Sequence, residues 1–278
     1  MSEEPLRLEV LYEAPGLPVQ RLPAVLEERY GGGLGFSAPV LYGNLVSTVD
    51  GITALDGETP PSVVAAGSTA DRFVMGLLRA FAGAVVIGAS TLRAEPRHLW
   101  TAGKVHPASA DGFAALRASL RLATDPRLVV VSASGAVDPV PPLEHGALVL
   151  TSTAGAERLR GSLPAASTLR AIGDGPALDG ESIVAAIRDE GHGTILTEGG
   201  AMLIGTLLGA GALDELFLTV SPRLAGARTA AGRRGVVEGV AFGPRELVAG
   251  RLLSVRRHDS HVFLRYAVGG SDSTTGTS

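Results

Sequence analysis

Residues 84–91 read Ala-Val-Val-Ile-Gly-Ala-Ser-Thr, a short apolar run that ends in a glycine, an alanine and two hydroxyl side chains. An apolar run without alternation is typical of a strand buried on both faces of a parallel sheet. The residues before it predict a helix, because Ser68 and Asp71 have capping-box spacing and Phe73 and Leu77 recur at a helical interval. A helix leading into a buried strand favours an α/β fold.

The same alternation continues on both sides of this segment. Further strands are predicted at Val40–Val49, Leu128–Ser132, Ala147–Thr151, Thr168–Ile172, Thr194–Thr197 and Glu215–Val220, with helices at Ala108–Leu122, Ala154–Arg160, Asp179–Glu190 and Ala201–Leu208. Two last strands, near Glu246–Val255 and His261–Val268, are adjacent in sequence and expected to be antiparallel. The pattern predicts an α/β protein with a mostly parallel sheet and antiparallel C-terminal strands.

The chain is expected to hold one domain, residues 39–268. Residues 1–38 are interpreted as an N-terminal extension, with a short helix within Pro18–Tyr30 and a flexible break at the glycine-rich stretch 31–35. The small, polar residues 269–278 are expected to be a disordered tail.

Composition excludes several classes of function. The 24 basic and 28 acidic residues give a net charge of −4, which argues against nucleic-acid binding and against a polybasic membrane contact. The absence of cysteine excludes disulfides, a thiol nucleophile and the cysteine ligands of a zinc-dependent deaminase. Six histidines without metal-ligand spacing predict no metal site. The acidic N-terminus and the lack of a long apolar run predict a cytoplasmic protein without a membrane partner.

The candidate chemistry lies at strand ends, where α/β sheets bind ligands. Gly88 and Ala89 leave room for a ligand, and Ser90 and Thr91 offer hydroxyls, although an ordinary strand-to-loop junction explains them equally well. Glu198-Gly199-Gly200 connects a buried strand to a helix, a geometry that suits a pyrophosphate. A carboxylate at the end of an apolar strand is costly unless it meets a ligand or a partner, which draws attention to Glu198.

The combination of motifs is more specific than each alone. It comprises Asn44…Asp50-Gly51, Leu78-Arg79-Ala80, Gly88-Ala89-Ser90-Thr91, Glu198-Gly199-Gly200, Asp214-Glu215 and Pro222…Gly226. Over about residues 39–268 this pattern resembles the riboflavin-biosynthesis reductase family, the reductase half of a bifunctional deaminase–reductase. The stretches 46–51 and 91–95 are also similar to free-standing actinobacterial pyrimidine reductases. The resemblance implies a dihydrofolate-reductase-like, three-layer α/β/α fold.

It further implies NADPH-dependent reduction of 5-amino-6-(5-phosphoribosylamino)uracil to its ribityl product. Carried over position by position, the cofactor contacts would be Ala54, Ser90, Thr91, Glu95, Gly199, Gly200, Ala201 and Met202. Arg79, Leu99 and Glu198 fall at substrate-contacting positions, and Asp50 at the turn beside the nicotinamide pocket. Asp50, Glu95 and Glu198 are the catalytic candidates; Glu95, Glu198 or an ordered water could supply the proton.

Structural alternatives remain open for several of these residues. Arg79 could simply pair with an acid, and Leu99 could belong to the core. Arg93 and Arg97, with His98, are candidates for binding a phosphate of NADPH or of the substrate, since arginine forms bidentate bonds with phosphate. A solvated basic loop is the alternative interpretation of that stretch.

Two departures from the family pattern bear on the substrate. Ile52 stands where many members carry Lys or Arg after the Asp-Gly turn, and Pro96 stands where the bifunctional enzymes usually show a second acid. Ile52 favours a flat ring over a phosphate, so a dihydrofolate or pterin reductase is an alternative. A catalytically silent nucleotide-binding dimer is another. Homodimerisation through the last strands is expected from the resemblance.

Overall fold

A computed structural model describes residues 6–55, 61–226 and 234–269, and its centre is a ten-stranded sheet. The strands are, in chain order, β1 Glu9–Glu13, β2 Val40–Thr48, β3 Ala84–Gly88, β4 Arg127–Ser132, β5 Ala147–Thr151, β6 Thr168–Ala171, β7 Thr194–Thr197, β8 Glu215–Ser221, β9 Gly250–His258 and β10 His261–Val268. Their spatial order is β1-β9-β10-β8-β2-β7-β3-β4-β5-β6. Pairing is parallel from β8 through β6, while β1, β9 and β10 pair antiparallel.

Helices cover both faces of this sheet. They are α1 Ala24–Tyr30, α2 Pro61–Val64, α3 Thr69–Phe81, α4 Ala89–Ala94, α5 Ala102–Val105, α6 Ala110–Ser119, α7 Pro141–Glu144, α8 Thr153–Leu159, α9 Gly180–Asp189 and α10 Ala201–Gly209, with a 3-10 turn at Pro107–Ser109. One core joins the sheet to α1, α3 and α6, and the other joins it to α9 and α10. This three-layer α/β/α arrangement confirms the predicted fold class.

Strand β3 and helix α3, from which the fold was predicted, form as expected. Val85 and Ile87 of β3 enter one core, while Ala84 and Val86 enter the other, so the strand is buried on both faces. The Ser68 hydroxyl accepts a hydrogen bond from the Asp71 amide at 3.1 Å, which confirms the predicted helix start. The antiparallel pairing of the last two strands is also confirmed, although β9 begins at Gly250 rather than near Glu246.

The predicted N-terminal extension contributes a strand and a helix to this body. β1 pairs with β9, and Leu8 and Leu26 are buried in the first core. The guanidinium of Arg256 lies 4.0 Å from the centre of the Tyr30 ring and donates to the Tyr30 carbonyl. The glycine-rich stretch is closely packed, since a Cβ at Gly35 would lie 2.7 Å from the Pro18 carbonyl oxygen.

The domain boundary at residue 38 stays a prediction, and the predicted disordered tail lies outside the described residues from position 270 onward. In the part of the chain that the structure describes, the helices are all too short or too polar to cross a bilayer.

Candidate functional site

Two of the predicted strand-end motifs meet at one edge of the sheet. β3 and β7 are neighbours in parallel register, with Val86 paired to Thr197, so their carboxyl ends lie side by side. Gly88 leads directly into α4, which carries Ser90 and Thr91. Glu198, Gly199 and Gly200 lead from β7 into α10. The chain therefore brings hydroxyl groups and a glycine pair together across adjacent strands.

Gly200 leaves a gap between these two connections. Its backbone has φ +67°, a left-handed conformation that favours glycine, and it precedes α10 without a side-chain cap. A Cβ at this position would lie 3.4 Å from Thr91 Oγ1 and 3.5 Å from Ser90 Oγ. The first amides of a helix have no acceptor within the helix and carry the positive end of its dipole. The gap is about one methyl group wide, and the hydroxyl and amide groups beside it are donors of the kind that bind a phosphate group.

Glu198 is held by Arg79 in a buried bidentate ion pair. Arg79 Nε donates to Glu198 Oε1 at 2.7 Å and Arg79 Nη2 donates to Oε2 at 2.6 Å. The side chains are only 2% and 8% exposed. Arg79 Nη1 also donates to the Thr101 carbonyl at 3.3 Å. The charge that made Glu198 conspicuous in the sequence is thus neutralised within the protein, by an arginine 119 positions away.

The backbone that carries Arg79 is fixed by another buried arginine. Arg117 Nη1 donates to the carbonyl of Arg79 at 3.0 Å and to that of Ala82 at 2.7 Å. The Arg79 carbonyl also accepts from the Ala82 amide at 3.2 Å, so several hydrogen bonds hold the end of α3 that carries Arg79.

A carboxyl group and an imidazole lie beside this pair. Burial raises the pKa of Glu95, and the charge of Glu198 raises it further, while Arg79 opposes both effects. His98 Nδ1 lies 3.6 Å from Glu95 Oε2, and the imidazole packs edge-on against Trp100. Burial and Arg79 lower the pKa of His98 to about 4, so its ring is neutral near pH 7. The cluster can thus keep a proton on Glu95 at a pH where an ordinary glutamate has lost it.

The carboxylate of Asp50 holds two loops together. Its carboxylate accepts hydrogen bonds from the Thr48 hydroxyl at 2.6 Å and from the backbone amides of Ala225 and Gly226 at 3.1 and 2.6 Å. These bonds lower its pKa to about 2. Asp50 is therefore ionised at neutral pH and ties the turn after β2 to the loop after β8, a geometry suited to an anchor and unsuited to a proton donor.

A later segment, residues 234–240, connects two predicted cofactor contacts. Arg234 pairs with Ala54 in an isolated antiparallel bridge. Farther along, the Glu238 amide donates to the Ala201 carbonyl at 3.1 Å, and Gly239 lies against the end of the Met202 side chain. Met202 is exposed and Ala201 is buried. The segment thus runs from the turn after β2 to the first turn of α10.

The remaining predicted residues are placed apart from this cluster or at its margin. Arg93 is exposed and donates to the Ala136 carbonyl at 2.8 Å, beside a small cavity of about 190 Å³. Arg97 is exposed, and Leu99 is half-buried. A cavity of about 1230 Å³ opens between the N-terminal segment and the β9–β10 turn, and no predicted site residue lines it.

The sequence reasoning missed one buried acid at the same edge of the sheet. Asp71 is 4% exposed, and burial raises its pKa to about 6 despite a hydrogen bond with Thr219 and the nearby His261. The capping-box spacing accounts for the backbone amide of Asp71, which caps the start of α3. It gives no information about the carboxyl group, so the burial of that group was missed. In residues 6–55, 61–226 and 234–269, no group of three or more metal-ligating side chains could hold a metal ion.

Comparison with known proteins places the chain among riboflavin-pathway proteins. The model of the RibD C-terminal domain family matches residues 39–263. No curated protein sequence matches this chain. A pyrimidine reductase-like protein from Corynebacterium diphtheriae is 21% identical, with a TM-score of 0.63 over 89% of this chain and 95% of that one.

Two further solved structures share the fold. One is a Thermotoga maritima protein described as a diaminohydroxyphosphoribosylaminopyrimidine deaminase and 5-amino-6-(5-phosphoribosylamino)uracil reductase, 19% identical, with a TM-score of 0.62 over 83% of this chain. This chain spans 57% of the Thermotoga protein's length. The other is the riboflavin biosynthesis reductase of Saccharomyces cerevisiae, 12% identical, with a TM-score of 0.56 over 86% of this chain and 93% of that one. At these identities the likenesses establish the fold.

Proposed function

Because the chain belongs to the RibD C-terminal domain family, we propose that it is an NADPH-dependent reductase acting on 5-amino-6-(5-phosphoribosylamino)uracil. Membership in this family supports a reductase of the riboflavin pathway. One observation carries the finer proposal: the Glu198-Gly199-Gly200 connection faces Ser90 and Thr91 across adjacent strand ends, next to a carboxyl group with a raised pKa.

The residues present fit a dinucleotide. The hydroxyls of Ser90 and Thr91 and the amides at the start of α10, which meet at Gly200, would donate to a pyrophosphate lying against them. Ala54 and Met202, joined by segment 234–240, would border the same ligand. When bound, NADPH supplies a hydride from C4 of its nicotinamide ring.

Glu95 is the best candidate for the proton donor. Reduction of the opened ribosylimine adds a hydride to C1′, while the electron pair of the C=N bond moves onto nitrogen and takes up a proton. Glu95 retains its proton more readily than an ordinary glutamate, because it is half-buried and lies near Glu198. Asp50 is held ionised by three hydrogen bonds, and both oxygens of Glu198 already accept from Arg79.

The Arg79–Glu198 pair would then bind the pyrimidine ring of the substrate. A bidentate ion pair in a site with little water presents a fixed, net-neutral arrangement of polar atoms. A uracil ring has amide N–H groups and carbonyls along one edge. The outer lone pairs of Glu198 can accept from those N–H groups without breaking the bonds to Arg79.

One observation favours a second substrate class. Ile52 is buried, 8% exposed, at the turn where a cation would be expected to meet a phosphate. An aliphatic side chain there suits a flat, unphosphorylated ring, so dihydrofolate or a dihydropterin is the alternative substrate.

A single assay separates these possibilities. Purified protein would be given NADPH with 5-amino-6-(5-phosphoribosylamino)uracil, and in parallel with dihydrofolate, while NADPH oxidation is followed. We expect turnover with the pyrimidine and a large loss of kcat in Glu95→Gln, with NADPH affinity retained. Turnover with dihydrofolate alone would establish the alternative. NADPH binding without turnover on either compound would indicate a non-catalytic nucleotide-binding protein.

We further propose that the protein is a homodimer. On the side of β8 and β10 facing away from the first core, Leu218 is paired with Leu264 and Val220 with Val262, and all four are half-buried. A contiguous apolar sheet face of this kind is typical of an interface. Sedimentation velocity should give a dimer for the wild type and a monomer for Leu218→Lys with Leu264→Glu. A monomeric wild type would contradict the proposal.

A further inference from the structure

We infer that Arg234 binds a phosphate monoester, carried either by the NADPH ribose or by the pyrimidine substrate. This inference rests on the proposed function, since both ligands of that reaction carry such a dianion. A dianion in a protein of net charge −4 needs a local cation to bind it.

Two of the arginines that the sequence suggested are already bonded to other groups. Arg79 makes two bonds to Glu198 and a third to Thr101, and its side chain is 2% exposed. Arg93 donates to the Ala136 carbonyl. The position after the Asp-Gly turn holds the buried Ile52. Arg97, which is exposed, is the competing cation, and Arg97→Gln in the assays below separates the two.

Arg234 occupies a position that fills this need. The Thr53 amide donates to the Arg234 carbonyl at 2.8 Å, and the Arg234 amide donates to the Ala54 carbonyl at 3.1 Å. Directly paired residues of an antiparallel bridge project to the same face. The Arg234 side chain therefore lies on the same side as the Ala54 methyl group, two residues from Ile52 in the opposing segment.

The same segment connects Arg234 to the first turn of α10. Four residues after Arg234, Glu238 is bonded to Ala201 in that turn, and a Cβ at Gly205 would clash with the Glu238 carbonyl. Arg234 is thus held between the turn after β2 and the start of α10, both of which carry predicted cofactor contacts.

The guanidinium of Arg234 is available for a bidentate contact. Its side chain is 48% exposed, and its ion pair with Glu238 is long, with Nε 3.8 Å from Oε2. A pair at that separation is not a hydrogen bond and contributes little to stability. Planar bidentate recognition of phosphate is the contact for which arginine is best suited.

The test compares Arg234→Gln with wild type on matched ligands. Affinity would be measured for NADPH and NADH, and KM for the phosphoribosylaminouracil and for the same compound without its phosphate. If Arg234 binds the 2′-phosphate, NADPH affinity should fall roughly tenfold while NADH affinity is unchanged. If it binds the substrate phosphate, KM for the phosphorylated compound alone should rise by a similar factor. Arg234→Lys should restore part of either loss.

Arg160→Gln is the control. Arg160 is exposed after α8, which packs against β6 at the far edge of the sheet, so the variant loses the same charge at a distance. Equal losses for all four ligands, no loss, or an effect matched by Arg160→Gln would overturn the inference and leave the proposed function standing. A wild-type protein that neither binds NADPH nor reduces the pyrimidine would overturn both.

Discussion

Replacing Arg79 with methionine should destabilise the protein severely, because it leaves the buried carboxylate of Glu198 without a cation. Methionine fills most of the volume of the arginine stem but cannot donate a hydrogen bond. The variant removes two charge-assisted bonds to Glu198 and one bond to the Thr101 carbonyl. Glu198 is left 8% exposed with neither its cation nor full hydration.

The size of the expected loss in unfolding free energy follows from the burial of the ion pair. Removing one member of a buried ion pair typically costs about 3–5 kcal/mol, most of it the penalty of the unpaired charge. No discount for solvent screening applies, since both side chains are almost inaccessible. Arg79→Met should therefore lower the free energy of unfolding by about 3–5 kcal/mol near neutral pH.

The penalty depends on the Glu198 carboxylate, so removing that charge as well should relieve it. The double variant Arg79→Met with Glu198→Gln has no buried charge and should recover much of the loss.

Urea unfolding of wild type, both single variants and the double variant completes the thermodynamic cycle. A coupling energy of about 2 kcal/mol or more is expected between residues in direct contact. A loss below about 1 kcal/mol in Arg79→Met, or strictly additive effects, would refute the assignment of a buried, mutually dependent pair.

Three further changes test other parts of the site. Gly200→Ala should weaken NADPH binding, because its Cβ would lie against the Thr91 and Ser90 hydroxyls at 3.4 and 3.5 Å, whereas Gly191→Ala, with the same left-handed backbone strain and open space, should leave calorimetric NADPH affinity intact. Asp50→Ala should destabilise the protein near neutral pH. Because the folded pKa of Asp50 is lowered to about 2, the difference in urea midpoint should shrink as pH falls from about 4 toward 2, and a pH-independent difference would contradict its anchoring role. For Asp71→Asn, the stability difference from wild type should depend on pH in the opposite direction. The folded pKa of Asp71 is raised to about 6, so wild type loses stability as pH rises from about 4 to about 6, and the variant should be the more stable above that range by up to about 3 kcal/mol. Equal unfolding free energies at both ends of the range would refute the burial of an ionisable Asp71.

The parts of the fold that could be predicted depend on local pattern. The start of α3 follows from Ser68 and Asp71, and β3 follows from an apolar run, because each signal lies within a few residues. β1 was missed: Glu-Val-Leu-Tyr-Glu has no alternating pattern, and all five residues are exposed. It is a strand because β9 pairs with it, and β9 lies more than 200 residues away.

The candidate site divides in the same way. The glycine pair and the hydroxyls could be located from the sequence, because strand ends in an α/β sheet converge. The bond between Arg79 and Glu198 joins residues 119 positions apart. Such a pairing cannot be predicted from spacing along the chain. The positions of Arg234 and of the loop held by Asp50 likewise follow from contacts between distant segments.

Transfer of deuterium from NADPH labelled at C4 of the nicotinamide tests the central claim most directly. The labelled cofactor would be incubated with protein and 5-amino-6-(5-phosphoribosylamino)uracil, and the product examined by mass spectrometry and NMR. Delivery of deuterium to C1′ of the ribityl chain is the predicted result, with a slower rate of transfer when Gly200→Ala replaces wild type. A product without deuterium, or deuterium at a ring carbon, would contradict the proposed reduction.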